Sequence, residues 1–467
     1  MESSSKKTFY IETYGCAANR SDSERILRIM KDKNFIQVSS PIKANITIYN
    51  TCGVKDPTER KIIKSLEEIE EGQKTKTIIT GCLPNISLKA IKKANPSFGA
   101  IVDTKSTHLI GSVIDDILTG KTNLELFASS RTESSNKIDI LPLNFNPLIG
   151  ILTINEGCDG NCSFCGTKLA RGKTMSHSPE KLLIQARTML QNGAKELWIT
   201  SQDSGAYYYQ ESEKIWELPE LISAICKLPY RFRLRLGMIN PDHIIRLQYQ
   251  RTKNTLFDVI EANPQIFHFL HIPVQSGNDR VLTLMKRRYT VAEFQKIIKD
   301  IWKRFPGMTL ATDIITGFPT ETEEEFMDTL ELVKWFNPPF LNSSRYGARP
   351  GTIAAQMDGQ IHDRDSKRRS RLLMKEWEPS ATKASSEKWL NWEGQVLVDE
   401  PGKREDVNGE ETVIARNYAY KQVILPASDV YLGQFVTVKI IDTTLHYLIG
   451  KVIEPMTQVI EELPVLD

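Results

Sequence analysis

Short apolar runs alternate with polar, helix-like stretches from the start of the chain, and most runs are followed by a capping or turn signal. Strand-like segments at 8–14, 45–50 and 76–80 are each followed by a helical pattern. Ser21 and Glu24, in capping-box spacing, predict one helix start; Asp56 as N-cap, Pro57 in the first turn and Gly72 as a stop predict a second helix, and 86–94 forms a third. This strand–helix repetition predicts a parallel sheet covered by helices.

A Ser/Thr/Asn-rich patch at 129–136 reads as linker. Beyond it, strand-like segments at 148–155, 195–202, 231–239, 268–275, 308–317 and 340–346 are separated by helical stretches such as 179–192, which Ser178 caps and Gly193 stops. Six such units predict an open or partial barrel. Residues 364–388 are helical and basic, eight Lys/Arg against four acids giving a net +4. The pattern then changes to short strands at 395–399, 412–416, 421–425, 435–442 and 447–453 with glycine-containing turns. The expected organisation is an α/β domain over 1–125, a linker over 126–147, a partial (βα)6 barrel over 148–363, a basic helical connector over 364–392 and an all-β barrel over 393–467.

A length of 467 residues fits several domains, with 40% hydrophobic and 25% charged residues as in ordinary globular chains. Sixty Lys/Arg against 58 Asp/Glu leave only +2, so any nucleic-acid surface must be local. No apolar run approaches the roughly 20 residues of a membrane span, and the start lacks a signal-peptide core, so a cytoplasmic protein is expected. Its seven cysteines are an odd set that argues against a disulfide framework.

Three of them, Cys158, Cys162 and Cys165, crowd into eight residues directly after the first barrel strand. Thiolates at this spacing suit zinc or an iron–sulfur cluster and leave a four-coordinate site one ligand short; the nearest candidate to close it, His177, lies beyond a basic loop. Cys16, Cys52 and Cys82 each follow a strand and precede a helix, 36 and 30 residues apart, which predicts that they meet at the carboxyl edge of one parallel sheet. Three unrelated buried thiols are the alternative; the equivalent positions favour a shared ligand set. Cys226, on an apolar helix, reads as a core thiol.

Cys-x3-Cys-x2-Cys after the first strand of a βα barrel resembles the radical S-adenosylmethionine (SAM) superfamily. With the N-terminal triad and the C-terminal β module it resembles the radical SAM methylthiotransferases over nearly the whole chain. The segments 50–55, Gly81-Cys82 and 168–172 are most similar to the archaeal and eukaryotic branch, which acts on threonylcarbamoyladenosine in tRNA, and 418–425 resembles the central strand of the RNA-binding TRAM domain. The animal members' membrane anchor is not carried over, because no apolar tail matches it.

The resemblance implies two [4Fe–4S] clusters, one on Cys158, Cys162 and Cys165 that cleaves SAM reductively and one on Cys16, Cys52 and Cys82 that delivers sulfur. It places Gln202 and Asp203 towards the SAM amino group, Gln275 and Asp313 beside ribose and adenine, and Arg171 on the SAM carboxylate. Read from the residues alone, Gln202 and Asp203 equally fit a helix-capping loop, Arg171 a solvated charge, and Arg345 and Arg349 either phosphate contacts or surface charge. The implied reaction puts a methylthio group on C2 of the modified adenosine beside the anticodon. Implied partners are that tRNA and a reductant such as a ferredoxin or flavodoxin, with the chain a monomer free of membrane. Isopentenyladenosine or a ribosomal protein is the substrate in sister branches, and a non-catalytic, metal-stabilised RNA-binding scaffold is the alternative of another class.

Overall fold

The computed structural model describes residues 7–53, 56–128, 137–402 and 409–454; Val54, Lys55 and the 129–136 patch lie outside them. The N-terminal domain is a six-stranded, wholly parallel sheet of β1 (Thr8–Thr13), β2 (Ile36–Gln37), β3 (Ile46–Thr51), β4 (Thr77–Gly81), β5 (Ala100–Val102) and β6 (Leu124–Leu126), in the order β2-β1-β3-β4-β5-β6. Every residue of β3 and β4 is buried, as expected of strands covered on both faces.

Its helices depart from expectation at their ends. The first, α1 (Ala17–Asp32), starts at Cys16 rather than Ser21. Ser21, Asp22, Ser23, Glu24 and Arg25 are all buried inside it: Ser21 meets the first barrel strand, Ser23 its own sheet at Thr13 and Asn50, and Asp22, Glu24 and Arg25 the segments around Lys137, Phe145 and Arg171. Ser21 Oγ is 3.0 Å from Thr153 Oγ1, so the tertiary contact takes the hydroxyl that a cap would have used. After α2 (Asp56–Glu67), Gly72 stops nothing: it sits inside the short helix Glu71–Lys74. The next helix, α3 (Leu83–Ala94), begins immediately after Cys82.

The middle domain holds six parallel strands in two sets, β7 (Ile149–Thr153), β8 (Glu196–Thr200) and β9 (Arg233–Arg235), then β10 (Phe269–His271), β11 (Thr309–Thr316) and β12 (Phe340–Arg345). A parallel bridge from Leu234 to Ile266 joins the two sets into an open arc. The short helix α4 (Thr167–Arg171) follows the second cysteine triad. A 27-residue helix, α5 (Asp363–Trp389), buries Leu373, Trp377, Ala381, Ser385 and Trp389 at four-residue spacing and leaves most of its Lys and Arg exposed.

The C-terminal module is a closed barrel of β13 (Glu393–Pro401), β14 (Thr412–Asn417), β15 (Gln422–Pro426), β16 (Phe435–Thr443) and β17 (Tyr447–Glu454), in the order β13-β14-β15-β17-β16. It docks where β10 begins, at the end of the arc opposite the cysteines. Tyr420, in the turn between β14 and β15, lies 5.0 Å from the rings of Phe267 and Phe269, and the guanidinium groups of Arg235 and Arg416 flank it at 5.1 Å. The His268 N–H donates to the Tyr418 carbonyl at 2.9 Å.

Candidate functional site

β1, β3 and β4 are neighbours in the sheet, and they end immediately upstream of Cys16, Cys52 and Cys82. Close backbone approach follows. Gly15, at φ +105°, lies so near Cys52 that a Cβ there would come within 3.0 Å of the thiol sulfur, and a Cβ on Gly81, at φ +96°, would meet the Thr51 carbonyl at 2.2 Å. Asn19 ties the loops together: its Nδ2 donates to the carbonyls of Tyr14 (2.9 Å) and Thr51 (2.8 Å), while its Oδ1 faces Cys82 Sγ at 3.7 Å and Cys16 Sγ at 3.9 Å. Burial pushes the Cys82 thiol up to about 11; Arg171 pulls it down, and Cys16 and Cys52 add to the rise.

The second triad follows β7. Gly157, at φ +77°, lets the loop fold back so that Cys158 N–H bonds the Gly172 carbonyl at 3.0 Å. A Cβ on Gly160 would lie 3.1 Å from Cys158 Sγ and 3.7 Å from Cys162 Sγ, so these two sulfurs converge over a position that has no side chain. Amide donors reach Cys158 from Gly160 (3.3 Å) and Cys165 from Thr167 (3.4 Å), and Arg287 Nη1 reaches Cys162 Sγ at 3.2 Å. Burial pushes Cys158 up to about 12.

Arg287 also opens a polar chain. Its Nη2 donates to Asn240 Oδ1, and Asn240 Nδ2 donates to Asp203, which also accepts from His243 Nδ1 at 2.7 Å. Asp203 caps a short turn as well, through the Gly205 N–H at 3.1 Å, so the plain capping reading of this residue is realised. Its neighbour Gln202 is half-buried, and the buried Oε1 has no hydrogen-bond partner among the described residues. Across the arc, Asp313 pairs with His271 Nε2 at 3.0 Å and accepts from Asn342 at 2.8 Å; Gln275, at φ +74°, is tied to the same strand through the Asp313 carbonyl.

The structure gives each of the three arginines a partner within the protein, and for Arg345 this is the surface-charge alternative. Arg171 is not solvated: it is 3% exposed and donates through Nη2 to Asp22 Oδ2 (2.8 Å) and Asn19 Oδ1 (2.9 Å). Arg349 is buried and bonds Glu59 of α2 at 2.5 Å, tying the loop after β12 to the N-terminal domain. Arg345 pairs with Asp363. Lys137 joins the Arg171 network, 2.7 Å from Asp22 and 2.8 Å from Glu156. Burial alone would raise the Asp22 carboxyl, yet Lys137, Arg171 and Arg25 hold it down at about 2. His177 is buried beside this network and pushed by burial down to about 4, while Cys226 lies in the barrel core.

Three thiols in each set are soft donors suited to a metal group with one position left open. Among the described residues, the set of three Cys, His, Asp or Glu ligand atoms that converges within 4.8 Å is Asp203, Asp242 and His243. Asn19, Asn240, His243 and Arg287 escaped the reading of the sequence. Asn19 sits three residues after Cys16, on the first turn of α1, which is the one local signal any of them carries.

Residues 8–103 match the family described as Uncharacterized protein family UPF0004, 152–333 the Radical SAM superfamily and 395–453 the TRAM domain. The chain is 35% identical over 449 residues to a probable threonylcarbamoyladenosine tRNA methylthiotransferase of Pyrococcus horikoshii, covering 95% of this chain and 99% of that one. To the threonylcarbamoyladenosine tRNA methylthiotransferase of Xenopus laevis it is 32% identical, covering 95% and 77%. Among solved structures, the radical SAM methyltransferase TsrM from Kitasatospora setae shares the fold with a TM-score of 0.53 over 75% of each chain at 10% identity. More than 30% identity over 95% of this chain and 77–99% of these relatives places this chain in the threonylcarbamoyladenosine tRNA methylthiotransferase family of radical SAM enzymes.

Proposed function

We propose that the chain replaces the C2 hydrogen of threonylcarbamoyladenosine, beside the tRNA anticodon, with a methylthio group, using two [4Fe–4S] clusters and SAM. The observation that carries this reading is the pairing of two three-thiol sets, each at the carboxyl end of its own parallel sheet and linked through α4. When bound, the group on Cys158, Cys162 and Cys165 together with SAM supplies the radical that removes the inert C2 hydrogen, and the group on Cys16, Cys52 and Cys82 with a second SAM supplies sulfur and methyl.

The chain's own residues hold and orient. Gln202 offers a buried carbonyl oxygen without a partner among the described residues, suited to an ammonium donor, while Asp203, Asn240 and His243 form a fixed polar wall beside it. His271, Asp313 and Asn342 form a second wall at the carboxyl ends of the later strands. RNA contact is assigned to the C-terminal barrel and to α5, whose Arg364, Lys367, Arg371 and Lys375 are exposed. No helix among the described residues is long and apolar enough to cross a membrane. A monomer in the cytoplasm, reduced by a ferredoxin or flavodoxin, completes the reading.

Nucleoside analysis of tRNA from a deletion strain tests it. Loss of the methylthiolated threonylcarbamoyl nucleoside, restored by the intact gene, is expected. Loss of a methylthiolated isopentenyl nucleoside instead, or of a ribosomal-protein modification, would overturn the substrate assignment, and unchanged modification would favour a non-catalytic scaffold.

A further inference from the structure

α4 is only five residues long, about 7.5 Å of helix, yet its two ends belong to different thiol sets. At its start the Thr167 N–H donates to Cys165 Sγ, and at its end Arg171 enters the N-terminal domain. That domain grips the carboxyl end of α4 from several sides. Asn85, three residues beyond Cys82, and Thr104 both donate to the Ala170 carbonyl, at 3.1 and 3.3 Å, while Asn19 and Asp22 accept from Arg171.

The shared atom is Asn19 Oδ1. It accepts from Arg171 at 2.9 Å and stands 3.7 Å from Cys82 Sγ and 3.9 Å from Cys16 Sγ, so one amide oxygen carries both the guanidinium and two of the three thiols. Arg171 is not fully used by its acidic neighbours. Asp22 is shared with Lys137, Glu156 lies 3.7 Å from Nη1, and Nη1 is buried without a hydrogen-bond acceptor among the described residues. A buried guanidinium with a spare donor suits an anionic neighbour, and a metal–thiolate set is anionic.

We infer that Arg171 is a positioning residue for the Cys16, Cys52 and Cys82 set: it reaches out of the loop carrying the other triad, fixes Asn19 at the centre of the three N-terminal loops and sets a permanent positive charge beside the group those thiolates hold. Assembly of the N-terminal site thereby depends on the docked barrel loop. The inference rests on the reading that this triad holds an iron–sulfur cluster.

The test uses the full chain with Cys158, Cys162 and Cys165 all replaced by Ala, so that anaerobic reconstitution reports the N-terminal site alone. Iron retention against a chelator and the midpoint potential from an EPR-monitored titration are compared for Arg171, Arg171→Lys and Arg171→Gln. Retention should fall roughly tenfold in the Gln variant and less in the Lys variant. The potential should fall with Gln and hold with Lys, since only Lys keeps the charge that favours the reduced state. Equal retention and potential in all three would overturn the inference, as would weaker SAM binding as the sole effect of Arg171→Gln in the chain with all six cysteines. If Gln in the buried network prevents folding, judged by thermal melting, equal retention in the Arg and Lys chains would still overturn it. A background that binds no iron with Arg171 in place would instead bring down the cluster reading itself.

Discussion

Arg287 Nη1 donates to Cys162 Sγ across 3.2 Å, while the same guanidinium bonds Asn240 and the Pro273 carbonyl from Nη2. It is thus a rigid donor to a sulfur of the second triad rather than a surface charge. Hydrogen bonds to ligand sulfurs raise a cluster's reduction potential. Arg287→Met is therefore expected to lower the potential of the Cys158, Cys162 and Cys165 cluster and to slow formation of 5′-deoxyadenosine about tenfold. An EPR-monitored redox titration beside a single-turnover assay checks both, and an unchanged potential would remove the argument.

Alanine at Cys158, Cys162 or Cys165 should abolish reductive SAM cleavage. Alanine at Cys16, Cys52 or Cys82 should leave some cleavage and abolish methylthiolation, because the two triads occupy separate sheet edges. Equal loss of both activities in folded Cys16, Cys52 or Cys82 variants would argue against this division.

The spacing of the cysteines made both triads legible because each thiol follows a strand, and parallel βα units bring equivalent loops to one edge. Polar residues at domain contacts were harder to read. Ser21 and Glu24 look like a capping box, yet Ser21 bonds Thr153 of β7 and Glu24 accepts from the Phe145 N–H, so tertiary contacts claim both. Arg171 looks like one charge in a basic loop because a sequence does not say that α1 will stand opposite with Asp22 and Asn19. In the dipeptide Arg287-Arg288 only the first is bonded to a cysteine, and no local pattern distinguishes the two.

The C-terminal barrel is not a freely removable appendage. Deleting residues 393–467 would uncover Phe267 and Phe269 and remove the Tyr418 carbonyl that accepts from His268. Tyr420→Ala should then destabilise the chain by roughly 3 kcal/mol, the usual cost of emptying an aromatic site. Urea unfolding measures this, and a loss under about 0.5 kcal/mol, typical of surface substitutions, would show that the ring stack contributes little.

Lys421 gives the same interface a pH signature. It is 2% exposed, bonds the Leu445 carbonyl at 3.2 Å, and is pushed down to about 8 by burial and by the nearby Lys388. Between pH 8 and the ordinary lysine value the unfolded chain holds a proton that the folded chain has released. Stability should therefore rise with pH across that window, by up to about 3 kcal/mol, and be lowest below pH 8. Lys421→Met should remove the slope and be at least as stable at pH 7. Thermal melts from pH 7 to 10 decide it: a slope that persists in the Met variant would assign the titration elsewhere.

Substrate choice needs polar donors, because threonylcarbamoyladenosine carries a carboxylate and a hydroxyl where isopentenyladenosine carries only an apolar chain. Three arginines near the barrel's carboxyl edge are engaged within the protein: Arg171 with Asp22 and Asn19, Arg349 with Glu59 and Arg345 with Asp363. Arg171 and Arg349 are also buried at the contacts between domains, so their loss should weaken docking rather than relax specificity. Arg345 and Asp363 are both exposed enough to be solvated, so Arg345→Ala should leave the preference for the modified base unchanged. A site built around a carboxylate still leaves its donors unpaired when the group is absent, and such sites discriminate by roughly 10⁴ or more. Ratios of kcat/KM on tRNA with and without the threonylcarbamoyl group should reach that order in both wild type and Arg345→Ala. A collapse of the ratio in Arg345→Ala would make this residue the reader of the carboxylate, with Asp363 as its resting partner.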